Sequence, residues 1–226
     1  MKLHANFTRL LFAFVSVASA AAPSCQSAVY AMKEQFGIEK RDILVARVKD
    51  GRESQQEAKT EIVDALEAFR SVANFKGGDL EKLYDKLKDQ YASSDDAVSE
   101  VKNRIAAIEQ VSKDLFAEWK TEIAGMQNAD LKAKSTEMLR DTKARYATLI
   151  TAMKAAEAKM EPVLVAFKDH VTFLKHNLNA KAIASLQDQL VSVEDDVASL
   201  VRDMEKSIAE ADDFIKSMDA DASAAK

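Results

Sequence analysis

Breakers of regular structure are scarce in this chain: 5 glycines, 2 prolines and a single cysteine among 226 residues. Such a composition, rich in Ala, Lys, Glu, Asp and Leu, favours long uninterrupted helices over sheets. One cysteine leaves no internal disulfide to form. A basic excess is also missing. The formal net charge is −5, and removing residues 1–25 strips Lys2 and Arg9 but no acid, leaving −7. Nonspecific nucleic-acid binding, which depends on Lys and Arg neutralising phosphates, is therefore disfavoured. Beyond the N-terminus no apolar run reaches the roughly 18 residues of a membrane span. What remains is an ordinary hydrophobic share, 47%, which is enough to fold.

The first 25 residues read as an address. Lys2 and Arg9 precede an apolar run from Leu10 to Ala22, the pattern of a signal peptide rather than a transmembrane helix. Ala18-Ser19-Ala20 offers one cleavage site, which would release a soluble periplasmic protein. Ala22-Pro23-Ser24-Cys25 offers another, similar to a bacterial lipobox, in which Cys25 is lipidated and becomes the first residue. A lone thiol in an oxidising compartment favours lipidation at Cys25. Gln26 after the cysteine, instead of Asp, points to the outer membrane, facing the periplasm. Several acyl chains on one residue would make that anchor stable.

Residues 26–38 read as a short linker or helix, 39–218 as one helical bundle, and 219–226 as a disordered tail. The expected fold is all-α: an elongated antiparallel four-helix bundle or coiled coil with up-down-up-down topology. The first helix should run from Glu39 to about Phe75, stopped at Lys76-Gly77-Gly78, with Asp79 as the N-cap of the next. In the second, Leu80, Tyr84, Leu87, Tyr91, Ser94, Val98, Val101, Ile105, Ile108, Ser112, Leu115, Trp119, Glu122 and Met126 alternate in steps of four and three. Eleven of these 14 are apolar or aromatic. That beat puts one stripe on one helix face. A turn with Asp130 as N-cap leads to a third helix, through Leu139, Thr142, Tyr146, Leu149, Met153, Ala156 and Met160. Pro162 should then kink it, and the beat resumes in a slipped register through Leu164, Phe167, Val171, Leu174 and Leu178. After Asn177-Leu178-Asn179 the last helix runs through Ile183, Leu186, Leu190, Val193, Val197, Leu200, Met204, Ile208, Ala211, Ile215 and Met218. Only Ala58 is apolar between Val48 and Ile62, which reads as a solvated face or, alternatively, as a loosely packed stretch facing a partner.

Chemistry is hard to find in these residues. No phosphate-cradling G-x-x-x-x-G-K-[ST] motif occurs, nor a G-x-S-x-G nucleophile elbow. A metal-binding bundle needs Glu-x-x-His pairs, but Phe167 and Phe173 stand three residues before His170 and His176. The expectation is no enzyme, no cofactor, no metal and no nucleic acid. Short turns make consecutive helices antiparallel, so two sequence-distant turns should gather at the pole away from the anchor. Lys76, Gly77 and Gly78 would meet Lys175, His176, Asn177 and Asn179 there, as a polar interaction site or as plain capping chemistry. The expected partners are an envelope protein, a second copy of the chain, and the membrane through Cys25. A membrane-active helical protein and a metal-binding bundle are the alternative functions.

Several runs carry a family resemblance: Gly37-Ile38-Glu39-Lys40-Arg41-Asp42-Ile43-Leu44-Val45, Asn74-Phe75-Lys76-Gly77-Gly78-Asp79-Leu80-Glu81, Ala158-Lys159-Met160-Glu161-Pro162-Val163-Leu164, and above all Phe173-Leu174-Lys175-His176-Asn177-Leu178-Asn179-Ala180-Lys181-Ala182-Ile183-Ala184-Ser185-Leu186. With these the chain closely resembles the proteobacterial Domain of Unknown Function family 2959, over nearly everything after Cys25. The resemblance implies an exported protein with a cysteine near this position. It implies no activity.

Overall fold

The structure, a computed structural model, describes residues 40–223. The signal-peptide, Cys25 and linker assignments, and the last residues of the tail, lie outside that range. Four helices follow in order: α1 (Lys40–Ala73), α2 (Leu80–Gly125), α3 (Ala129–His176) and α4 (Ala180–Ser223). Each packs against its sequence neighbour, and α4 closes the ring against α1, while the diagonal pairs barely touch. This is an antiparallel four-helix bundle. At 1.5 Å per residue the 46-residue α2 is about 69 Å long.

The helix ends follow from side-chain caps. Asp79 accepts from the Lys82 N–H at 3.0 Å and so starts α2. The cap of α3 is Asn128, not Asp130: Asn128 Oδ1 accepts from the Leu131 N–H at 3.0 Å. Asp130 lies in the first turn instead, where a negative charge suits the positive end of the helix dipole. Helix α4 passes Met218 and continues to Ser223, so the expected tail is helical over residues 219–223. An ion pair at 2.7 Å between Arg145 of α3 and Asp221 holds this last turn.

The core departs from the sequence reading in several places. In α1, the stretch expected to be solvated or loosely packed is interior: Gly51, Ser54, Gln55 and Ala58 are all buried. Leu44, Val48, Gly51, Gln55, Ala58, Ile62, Ala65, Phe69 and Val72 keep the same four-and-three beat as α2, and all are buried. A Cβ on Gly51 would stand 2.8 Å from Ile108 Cδ1 and 3.1 Å from Met153 Cε, so the missing side chain is what lets those two fill the centre. Gln55 is wholly buried, and its Oε1 accepts from Ser207 Oγ on α4 at 2.7 Å.

In α3 the seam widens after Pro162: Leu164 of the slipped register is buried alongside Val163 of the original one, and Phe167 and Leu174 belong to both. The helix is continuous through an exposed Pro162. Met153, Ala156, Met160, Val163, Phe167 and Leu174 are buried at the original beat, with half-buried His170 completing it. In α4 the beat selects Ser207 and Phe214, which are buried, over Ile208 and Ile215, which flank it. Near the foot of α2 the expected seam member Glu122 is exposed and Ile123 is buried in its place, the drift expected when a helix of 3.6 residues per turn leaves a 3.5-residue repeat. Three ion pairs between α1 and α4 share one antiparallel register: Arg52–Asp212 at 2.9 Å, Lys59–Glu205 at 3.5 Å and Arg70–Glu194 at 2.5 Å. Such part-exposed pairs add about 0–1 kcal/mol each. Their value is in fixing alignment.

Candidate functional site

Up-down-up-down topology places the α1–α2 turn (residues 74–79) and the α3–α4 turn (residues 177–179) at the same end of the bundle. They bridge opposite edges of it. Among the described residues no hydrogen bond or ion pair joins one turn to the other, so the candidate residues share a pole but do not form a bonded cluster.

Several of the polar groups there are used locally. Gly77 and Gly78 have φ of +139° and +112°, backbone that side-chain-bearing residues rarely adopt, although space around both is open. The Asn177 N–H donates to the Leu174 carbonyl at 3.0 Å, and its Nδ2 donates to the Phe173 carbonyl at 2.9 Å, closing α3. Asn179 Oδ1 accepts from the Lys181 and Ala182 N–H groups at 3.0 and 3.2 Å, opening α4. Both asparagines therefore do capping work. Lys76, Lys175 and His176 are exposed. The last two sit in the final turn of α3, where the Lys175 charge suits the negative end of the helix dipole.

Two residues of this pole escaped the sequence reading. Phe173 is 41% exposed, and Leu178, expected in the seam, is 38% exposed. Periodicity could have flagged Phe173, which precedes the seam residue Leu174 and so points elsewhere. Nothing in the pattern marks Leu178 as exposed, because it sits in a turn where helical phase no longer applies.

Just inside the pole, His170 stacks on Phe69, ring centroids 4.6 Å apart, and Phe69 meets Phe167 edge-on at 6.4 Å. Burial lowers the His170 pKa, opposed by the charge of Asp169. Its ring partner is Phe69, and among the described residues no three His, Cys, Asp or Glu side chains gather as metal ligands. No described helix is long and apolar enough to cross a membrane.

The architecture and its capped, cation-bearing pole define a helical-bundle protein. A family model described as a protein of unknown function (DUF2959) matches residues 29–218, and the chain belongs to that family. No curated protein and no solved structure matched it.

Proposed function

We propose that this is an exported, lipid-anchored protein of the cell envelope, a non-enzymatic spacer that presents an interaction surface at a distance from its anchor. The observation that carries the reading is the placement of the chain. Helix α1 begins 15 residues after Cys25, and the α1–α2 and α3–α4 turns lie at the far end of helices of 34 to 48 residues, about 50–72 Å long. A lipid on Cys25 would tether the chain through the start of α1, and Lys76, Lys175 and His176 are exposed at the opposite end of the helices.

The seam supports a mechanical role, because polar side chains join its helices: Ser94 Oγ donates to the Glu61 carbonyl of α1 at 2.9 Å. Gln55 bonds Ser207, and Trp119 Nε1 donates to Ser135 Oγ at 2.8 Å across α2 and α3. A body held this way transmits position without changing shape. The anchor is tested by growing cells with labelled palmitate. Label should enter the wild-type protein and be absent from Cys25→Ser; label retained by the variant removes the lipid anchor from this reading.

A further inference from the structure

Charge is distributed unevenly along the bundle. From Asp188 to Asp221, α4 carries 11 acidic residues against 3 basic ones. From His170 to Gln187, 18 residues around the α3–α4 turn, there is no Asp or Glu, although 37 of 226 residues are acidic and about three would be expected. The charged side chains that remain are Lys175 and Lys181, both exposed and neither in an ion pair among the described residues. Phe173, two residues before Lys175, and Leu178, between the two lysines, are large apolar side chains left open to solvent. On the neighbouring turn exposed Lys76 stands near exposed Asp79 and Glu81, so the acid-free surface is that of the α3–α4 turn alone.

We infer that the α3–α4 turn docks on an anionic phospholipid surface, with Lys175 and Lys181 at the headgroup phosphates and Phe173 and Leu178 inserted at the acyl boundary. Basic side chains flanking exposed apolar ones are the chemistry that an anionic bilayer recognises. The cations draw the turn to the negative surface potential, and the apolar pair leaves water on arrival. The missing acids matter as much as the lysines, since one carboxylate here would meet phosphate repulsion. This is peripheral docking of a folded end, with no helix entering the bilayer. It rests on the reading that this pole is the interacting end, but not on acylation of Cys25.

The test uses the Cys25→Ser protein, so that no acyl anchor contributes, sedimented with vesicles of phosphatidylcholine with or without phosphatidylglycerol. Binding should require phosphatidylglycerol and weaken with added salt. It should fall by at least about 30-fold in Lys175→Glu/Lys181→Glu, the loss that two cations near an anionic surface represent. Phe173→Ser/Leu178→Ser should weaken it comparably, with helix content by circular dichroism unchanged. No binding, or binding indifferent to both double variants, overturns the inference. So does a protein that ignores vesicles but self-associates through these same side chains, which would assign the basic turn to the acidic α4 of a second copy. Failure of the anchor would appear in palmitate labelling and not here.

Discussion

Gln55 and Ser207 are wholly buried polar residues facing each other from α1 and α4, joined by one hydrogen bond, and Gln55 Nε2 has no partner. A buried group left unpaired costs about 1–3 kcal/mol, whereas replacing both partners by apolar groups is close to neutral. Ser207→Ala should therefore lower unfolding stability by about 1–3 kcal/mol, while Gln55→Leu/Ser207→Ala should equal or exceed the wild type in urea titration. His170 is the other residue whose chemistry is set by its surroundings. Its folded pKa lies below the ordinary 6.5 because the ring is buried against Phe69, with Asp169 opposing. The unfolded chain then binds a proton that the folded chain resists, so stability is present above the unfolded pKa and is lost as pH falls below it. The melting temperature should fall on going from about pH 7 to about pH 5, and His170→Phe should show a shallower fall. An identical slope in the variant would place the titrating group elsewhere.

Elements differed in how plainly the sequence announced them. Helix α2 was legible because its central seam, Leu87 to Leu115, is apolar except for Ser94 and Ser112, and those serines keep the beat. Helix α1 was not, because Gly51 and Gln55 are seam residues only by virtue of what faces them: Ile108 and Met153 for the glycine, Ser207 for the glutamine. A hydropathy pattern cannot show the partner helix. The same cause misled the reading of α4, where Ile208 and Ile215 outrank their neighbours Ser207 and Phe214 in branched apolar character yet lie beside the seam. In α3 a proline and a histidine interrupted the composition, and the beat ran on beneath both. Caps were read well where a Gly-Gly pair marked the turn, at Asp79, and misplaced by two residues where two cap-forming types competed, at Asn128 and Asp130. Pro162 removes one backbone donor from an otherwise unbroken helix with its ring exposed to solvent. Pro162→Ala should restore that bond and raise stability by about 1–3 kcal/mol in thermal or urea unfolding. A loss would mean that the proline shapes the helix in a way the bundle requires.

At the scale of the whole molecule, the candidate site was only partly legible. Its location followed from topology, because three short turns leave antiparallel packing as the compact solution. Its chemistry did not. Asn177 and Asn179, attractive as recognition groups in the sequence, are occupied in closing and opening helices, while Phe173 and Leu178 declare themselves only once their exposure is known. All of this depends on the two distant turns sharing one end. The direct measurement is spin-label distance in a Cys25→Ser background, with one pair at Lys76→Cys and Lys175→Cys and another at Gln127→Cys and Lys175→Cys. Helices 8–10 Å apart put the first pair within about 30 Å, and the 48-residue α3 puts the second about 70 Å apart. A long first distance, or two distances alike, would contradict the bundle and with it the gathering of the two turns at one end.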